Sequence, residues 1–268
     1  MTANNHDEDI IILKKVCTQF DDFVVHKDVN LTVKRGEILA IVGGSGSGKT
    51  TLLREMMALN KPTSGEITVF GINITKASPE ELLLIQRRFG VLFQQNALFS
   101  SLTVLENTAF PLHEHTALDP VTVDSLSLLK IIMAGLPSDA AVKYPSELSG
   151  GMQKRAGIAR AIVLDPELLF LDEPTAGLDP NTAAAFDQLI LDLQRTMGLT
   201  IVIVTHDLDT LWTVTNRVAF LGEGVVLAVD PMPTLVKNPH ADIQTFFSGP
   251  RGRIVQETYS LGSKPNGN

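Results

Sequence analysis

Short apolar runs separated by polar turns predict strands in the first part of the chain. The runs are IIILKKV at 10–16, VNLTV at 29–33 and EILAIV at 37–42, and the last is the most apolar. GEITVFGINI at 65–74 adds a further pair of strands. Short runs of this kind, bounded by turn residues, are typical of β-strands. Residues 10–42 are therefore predicted to be mostly β-structure.

A helical pattern replaces the strand pattern in the middle of the chain. SPEELLLIQRRFG at 78–90 begins with Ser78 as a helix cap, followed by Pro79 and two glutamates. From about residue 95 to 150 the pattern is mainly helical, and VTVDSLSLLKIIMAGL at 121–136 contains Gly135 as a stop signal. This stretch predicts a group of helices inserted between two β-rich parts.

Three later apolar runs predict strands that are buried on both faces of a sheet. They are LLFLDE at 168–173, TIVIVTH at 200–206 and RVAFLGEGVVLAV at 217–229. The helical pattern NTAAAFDQLILDLQRTMG at 181–198 lies between the first two and predicts a βαβ unit. The segment from Gly249 to the end is polar and is expected to be extended or disordered.

Composition narrows the classes of protein that fit. The chain has 268 residues, 44% of them hydrophobic, which is enough for one core with an inserted subdomain. A net charge of −8 argues against a general nucleic-acid binder. The single cysteine, Cys17, excludes an internal disulfide and a cysteine-built metal site.

The sequence carries neither a targeting pattern nor a membrane-span pattern. The start MTANNHDEDI is acidic where a signal peptide is basic, and no apolar run approaches the ~18 residues of a membrane span. We therefore expect a cytosolic chain, and any membrane span must come from another subunit.

GGSGSGKTT at 43–51 predicts a phosphate-binding loop. It follows a predicted strand, precedes the helical TLLREMMAL, and has the spacing of a glycine, four residues, Gly-Lys and Thr. Its amides and the helix amino terminus are expected to bind the phosphates of ATP, with Lys49 on the β- and γ-phosphates and Thr50 on Mg²⁺. The candidate nucleotide-binding residues are Gly43, Gly44, Ser45, Gly46, Ser47, Gly48, Lys49, Thr50 and Thr51.

Carboxylates at the end of a predicted strand supply the candidate catalytic groups. Asp172 is placed to reach the metal, and Glu173 is placed to accept a proton from an attacking water. His206 ends the next buried run and is a candidate contact to the γ-phosphate. The alternatives are a solvated strand end for the carboxylates and a structural role for the histidine.

A second phosphate-binding pattern lies at ELSGGMQKRAGIARAI, residues 147–162. Ser149, Gly150 and Gly151 stand directly in front of an amphipathic helix, and exposed amides at a helix amino terminus bind anions. Ser149 as a helix cap without a ligand is the alternative.

The ordered set of motifs resembles the nucleotide-binding subunit of an ABC transporter over about residues 10–245. LSGGM at 148–152 resembles the family signature, with Met152 where glutamine is usual. The resemblance implies an α/β fold with a P-loop NTPase core, an antiparallel β subdomain and an inserted α-helical subdomain. It also implies a nucleotide-binding domain at 10–248, helical at about 95–150, and a tail at 249–268.

In that family two subunits pack head to tail, and the signature of each closes on the ATP held by the other. A homodimer is therefore implied, with two shared ATP sites. The same comparison makes Gln94 a catalytic and metal-site residue, Phe20 the aromatic that stacks on adenine, and Asp179 part of the dimer interface. A core position for Phe20 and a turn role for Asp179 remain the alternatives.

The segment FPLHEHT at 110–116 resembles the ATPases of Mce-type lipid transporters, a group that includes the bacterial Mla phospholipid system. This resemblance implies lipid transport, membrane-spanning permease subunits, a lipid-binding envelope subunit and a peripheral place on the cytoplasmic face of the inner membrane. Alternatives are an ATPase for a small solute such as an amino acid, and a non-transport ABC ATPase. A P-loop kinase would leave LSGGM unexplained.

Overall fold

The computed structural model describes residues 8–248, so the tail predicted at 249–268 lies outside the described residues. The strands are β1 (Asp9–Phe20), β2 (Phe23–Lys34), β3 (Ile38–Val42), β4 (Ser64–Val69), β5 (Ile72–Asn73), β6 (Phe89–Leu92), β7 (Leu168–Asp172), β8 (Thr200–Val204), β9 (Arg217–Gly222) and β10 (Val225–Asp230). The helices are α1 (Lys49–Met56), α2 (Pro79–Gln86), α3 (Val104–His115), α4 (Pro120–Met133), α5 (Gly150–Ala161), α6 (Pro180–Met197), α7 (Leu208–Val214), α8 (Met232–Leu235) and α9 (Ala241–Phe247), with 3-10 helices at Ser138–Val142 and Pro145–Glu147.

A six-stranded sheet in the order β10-β9-β3-β8-β7-β6 forms the centre of the protein. The pairs from β9 to β6 are parallel, and β10 adds to the edge in antiparallel orientation. Every residue of β3, β7 and β8 is buried, as their continuous apolar runs predict.

Residues 217–229 form two strands, whereas the sequence pattern suggested one buried run. A turn at Glu223 and Gly224 separates β9 from β10, and β10 is only partly buried along its length. Its position at the sheet edge explains the difference, because an edge strand keeps one side open to solvent.

The second sheet has four antiparallel strands in the order β2-β1-β4-β5. It is the predicted antiparallel β subdomain, and it packs on the same side of the central sheet as α1. Alternate residues of β3 divide between two cores. Leu39 and Ile41 face this subdomain, whereas Ile38, Ala40 and Val42 face the helices on the other side.

Helices α3 to α5 form the inserted helical part. Ser78 caps α2 as predicted, and Glu81 completes a capping box with it. Pro111 lies inside α3, which begins at the Thr103 cap, so FPLHEHT forms the second half of this helix. Gly135 follows the end of α4 at a positive φ of 74°. Within residues 8–248, the structure contains no helix that is long and apolar enough to cross a membrane.

Candidate functional site: a phosphate loop at the carboxyl edge of the parallel sheet

The predicted phosphate loop connects the end of β3 to the start of α1. Two of its glycines have no room for a side chain. A Cβ on Gly43 would lie 2.1 Å from the Leu221 carbonyl oxygen, and a Cβ on Gly48 would lie 2.5 Å from His26 Nε2. Both residues also have positive φ, at 152° and 92°. The loop is therefore folded around glycine, which leaves its amides available to an anion.

Lys49 is folded back onto the loop that precedes it. Its Nζ donates to the carbonyl oxygens of Gly43 and Gly44 at 2.9 and 2.8 Å. Burial lowers the pKa of Lys49, and the nearby charges of Glu173 and Asp172 act in the opposite direction. The ammonium thus stands between the loop and two carboxylates.

Thr50 and Asp172 form the oxygen pair that the sequence assigned to a metal. The Thr50 hydroxyl lies 3.4 Å from Asp172 Oδ1, at the end of β7, and Thr51 follows in the first turn of α1. Burial raises the pKa of Asp172, and the Thr50 hydroxyl opposes this by stabilising the carboxylate. A hydroxyl and a carboxylate beside a phosphate loop are oxygen donors of the kind Mg²⁺ prefers, so the residues fit this metal.

Glu173 and His206 lie side by side at the ends of neighbouring strands. Glu173 Oε2 is 2.8 Å from His206 Nδ1, and the side chains are 16% and 69% exposed. Glu173 has φ 48°, a left-handed conformation that a non-glycine residue adopts at a cost of about 1–3 kcal/mol. Its amide donates to the Val204 carbonyl at 2.8 Å, which helps to hold this conformation.

Gln94 reaches the site through its main chain. It lies two residues beyond β6 with an exposed side chain, and its carbonyl oxygen accepts a hydrogen bond from Lys154 Nζ at 2.6 Å. The carbonyl oxygen of Glu173 lies 3.5 Å from the same ammonium. Lys154 reads as an ordinary polar position of an amphipathic helix, so no sequence pattern indicates these contacts.

The signature segment packs against α6. Ser149 caps α5, accepting the Met152 amide at 3.3 Å, while a Cβ on Gly151 would lie 2.6 Å from the Thr182 methyl group. Asp179 caps α6 by accepting the amides of Asn181 and Thr182 at 3.1 Å. The signature and the Asp179 loop therefore form one local unit.

A cavity of about 500 Å³ lies beside the tip of the phosphate loop. Gly44, Ser45, Gly46 and Ser47 line one wall, and residues of β2, the β9–β10 turn and α9 line the others. Phe23 lines the cavity, whereas Phe20 lies across the two-residue turn from it. Both rings are exposed, at 65% and 50%. The sequence FDDF contains both aromatics, but the resemblance pointed only to the first.

A buried polar pair supports the loop from behind, and the sequence did not predict it. His26 Nδ1 lies 3.4 Å from Glu55 Oε2, and both side chains are fully buried. His26 Nε2 lies 3.3 Å from the Gly48 carbonyl, and the Thr18 hydroxyl donates to Glu55 Oε1. Because the Gly48 carbonyl can only accept, Nε2 carries the proton in this contact.

A second cavity, of about 320 Å³, separates β6 from α3. Phe99, Phe110, Pro111 and Glu114 lie along it, and the rings of the two phenylalanines are 4.9 Å apart. We call this cavity the β6–α3 groove. Four of the seven residues of FPLHEHT, the fourth being His115, therefore line a partly apolar depression.

Asp187 on α6 is a buried carboxyl group close to the His206 segment. The Thr210 hydroxyl of α7 contacts both of its oxygens, at 3.1 and 2.9 Å. The pKa of Asp187 is raised to about 7, mainly by burial; the charges of Asp207 and Asp209 contribute to the rise, and the Thr210 hydrogen bond opposes it.

This carboxyl group is expected to make the folded protein less stable as the pH rises. The native state keeps a proton that the unfolded chain releases above its pKa of 3.8, so stability is lost from about pH 4 upward and levels off above the folded pKa. Between about pH 5 and pH 8 the loss is on the order of 2 kcal/mol. Asp187→Asn keeps an acceptor for Thr210 and should remove most of this loss.

Chemical unfolding of both proteins at several pH values measures the effect. Asp192→Asn, at an exposed position of the same helix, is the control and should follow the wild type. Parallel pH profiles for the wild type and Asp187→Asn would show that Asp187 ionises without penalty.

Comparison with known proteins identifies the family. The sequence model of the ABC transporter family matches residues 26–176, which include the phosphate loop, the signature, Asp172 and Glu173. The chain belongs to the ABC transporter ATPase family. This confirms the resemblance and, with the two sheets and inserted helices, the predicted fold class.

Two groups of relatives are similar over most of the chain. The Mycobacterium tuberculosis (strain H37Rv) protein named probable ribonucleotide transport ATP-binding protein mkl is 39% identical over 85% of the chain. The chain spans only 63% of the length of that relative. The Escherichia coli K12 protein named intermembrane phospholipid transport system ATP-binding protein MlaF is 40% identical, covering 89% of this chain and 88% of MlaF.

Solved structures of ABC cassettes share the fold. The dimeric bacterial ABC transporter cassette MJ0796 matches with a TM-score of 0.76 and 35% identity, covering 82% of this chain and 98% of that one. A post-hydrolysis state of the same cassette, bound to ADP and Pi, matches equally well.

Proposed function

We propose that this chain is the ATP-hydrolysing subunit of a membrane ABC transporter that moves phospholipid or a related lipid across the cell envelope. The observation that carries the proposal is the cluster of Lys49, Thr50, Asp172, Glu173 and His206 at one edge of the parallel sheet. Ligands of open α/β sheets bind at the carboxyl ends of the strands, where these residues lie.

In this proposal the phosphate loop binds ATP. The amides of 43–51 and the amino terminus of α1 hold the phosphates, and Lys49 exchanges its contacts with Gly43 and Gly44 for the β- and γ-phosphates. The adenosine part occupies the cavity beside the loop, against Phe20 or its neighbour Phe23. The exposure of both rings supports a stacking role.

Thr50, Asp172 and Gln94 are the proposed ligands of Mg²⁺. The metal, when bound, neutralises charge on the phosphates. Glu173 accepts the proton of the attacking water, and His206, held by Glu173 Oε2, contacts the γ-phosphate. The strained backbone of Glu173 supports the assignment, because such strain concentrates at functional sites.

We infer a homodimer with two shared ATP sites. Ser149, Gly150 and Gly151 form an exposed helix amino terminus that packs against α6, and in the dimer it faces the γ-phosphate bound by the partner's loop. Asp179 lies beside it, at the proposed interface. The dimeric cassette MJ0796 supports this arrangement.

The lipid assignment rests on the helical part of the chain. FPLHEHT lines the β6–α3 groove, where we place a cytoplasmic segment of a membrane-spanning permease subunit. The relative MlaF carries phospholipid transport in its name, and the match covers 88% of its length. We therefore place the chain on the cytoplasmic face of the inner membrane, with a lipid-binding envelope subunit in the same system and no nucleic-acid partner.

Transport of a small solute is the second candidate. The mycobacterial relative is named for ribonucleotide transport, but the chain spans less than two thirds of it. Identification of the transported molecule decides between the two.

The experiment is affinity purification of the tagged chain from membranes, with identification of attached subunits and lipids. We expect permease subunits and bound phospholipid to co-purify. Glu114→Lys reverses a charge in the β6–α3 groove and should lower the recovered permease several-fold while ATP binding by the isolated subunit is kept.

Asp124→Lys provides the matched control, because Asp124 is exposed on α4 outside the groove. It should recover permease as the wild type does. Equal recovery with Glu114→Lys would remove the groove as the docking site, and a bound small solute in place of lipid would favour the second candidate.

A further inference from the structure

Lys154 of α5 is a buried lysine whose partners are main-chain carbonyls. Its relative exposure is 4%, and its ammonium donates to the Gln94 oxygen at 2.6 Å and lies 3.5 Å from the Glu173 oxygen. Buried lysines are rare unless their charge is compensated. The ammonium of Lys154 is therefore expected to depend on its contacts with the two carbonyls.

The two carbonyls belong to segments that carry the chemistry of the proposed function. Gln94 follows β6, and Glu173 follows β7 in a left-handed conformation. A hydrogen bond from a charged donor to each carbonyl restrains both peptides. Lys154 thus joins three segments that are distant in sequence, since Lys154 and Gln94 are 60 residues apart.

Local charge explains how the ammonium is tolerated at this depth. Burial lowers the pKa of Lys154, and the charges of Glu173 and Asp172 counteract this. Lys154 and the two carboxylates thus form one group of interacting charges. Lys49 also interacts with the same two carboxylates. Removing Lys154 would leave two carboxylates with one fewer cation close by.

We propose that Lys154 is a positioning residue for ATP hydrolysis, which fixes the main chain at Gln94 and Glu173 relative to the signature helix α5. The inference rests on the proposed function, because it takes Glu173 to be the base. Lys154 acts through these peptides, because both of its hydrogen bonds go to main-chain carbonyls.

Lys154 lies on the same helix as the signature residues Gly150 and Gly151. In the proposed dimer, the amino terminus of α5 binds the ATP held by the partner, while Glu173 of the same chain acts on the ATP held by its own loop. Lys154 lies in the second turn of α5, and so it connects the nucleotide at one site to the base at the other. Without Lys154 the dimer should still close on ATP, but the base should be misplaced.

The test compares Lys154→Met, which keeps a long apolar stem, with Lys154→Arg, which keeps a cationic donor, in the complete transporter. Lys154→Met should lower kcat about 10-fold or more with KM for ATP nearly unchanged, since small displacements of catalytic groups slow the chemical step. Its ATP-bound dimer should accumulate. Lys154→Arg should recover part of the loss.

Lys130→Met is the matched control, because Lys130 is also buried, at 6% exposure, but its ammonium pairs with Asp165 in the helical part. Its kcat per active site, counted by nucleotide trapping, should stay at the wild-type value. Lys154→Gln replaces Lys154→Met if the latter does not fold.

Two outcomes overturn the inference. One is a Lys154→Met enzyme with wild-type kcat per active site. The other is a loss that follows only from fewer folded molecules, with no ATP-bound dimer accumulating. A wild-type chain without ATPase activity would instead contradict the proposed function itself, so the two failures are distinguishable.

Discussion

Glu173→Gln is expected to lower ATP turnover on the order of 10²-fold or more while ATP affinity is kept. The substitution keeps the shape of the side chain and a polar contact to His206, but an amide cannot accept the proton of the attacking water. Since the phosphate loop is untouched, ATP should still bind and close the dimer. A stable ATP-bound dimer should therefore accumulate.

Steady-state hydrolysis, nucleotide binding and size-exclusion chromatography with ATP measure the three expectations. Glu66→Gln is the control: Glu66 forms an exposed ion pair with Lys76 on the antiparallel sheet, and such pairs contribute little to stability. The control should hydrolyse ATP at the wild-type rate. Wild-type hydrolysis by Glu173→Gln would show that another group is the base.

The main features of the site follow from local sequence patterns. Gly43, Gly46 and Gly48 favour this loop conformation, because all three have positive φ and Gly43 and Gly48 also leave no room for a side chain. Glu173 and His206 each follow a continuous apolar run, and parallel strands place their carboxyl ends at one edge. Their proximity was therefore predictable from the sequence.

Strand β6 was missed because its identity depends on its neighbour. It has only four residues, and the helical signal of 78–90 runs directly into it. Pairing with β7 makes Phe89–Leu92 a strand, and no short pattern contains that pairing. The half-buried state of β10 has the same origin, since an edge position is a property of the whole sheet.

The sequence patterns also did not predict the contacts of the buried polar side chains. Glu55 reads as a polar position of an apolar helix, yet it lies fully buried between Thr18 and His26. Lys154 reads the same way and contacts Gln94 and Glu173. Periodicity says which face of a helix is buried, but the partner of a buried polar group comes from tertiary packing.

Mixing Lys49→Ala and Ser149→Arg chains is expected to restore ATP hydrolysis that neither variant shows alone. Each residue provides charged or polar contacts to the same γ-phosphate from opposite chains in the proposed dimer. Lys49 projects from the phosphate loop, whereas Ser149 caps a different helix, packed on α6. Each homodimer therefore carries one lesion in both of its sites.

In the mixed dimer both lesions fall in one site, and the other site is wild type. Random pairing of equal amounts makes half of the dimers mixed, so about a quarter of wild-type activity should return if the two sites of a symmetric dimer act independently. Ser125→Arg, which adds the same charge at an exposed position of α4, should stay active by itself. This control separates the effect of position from the effect of charge.

Strict coupling between the sites would suppress the recovered hydrolysis without removing the intact site. Trapping of nucleotide distinguishes this case, because a mixed dimer should then retain one nucleotide per two chains. If mixing restores no hydrolysis and no nucleotide is trapped, Lys49 and Ser149 do not serve the same ATP. The helix amino terminus at Ser149 would then be a capped helix end, and the proposed dimer would lose its main support.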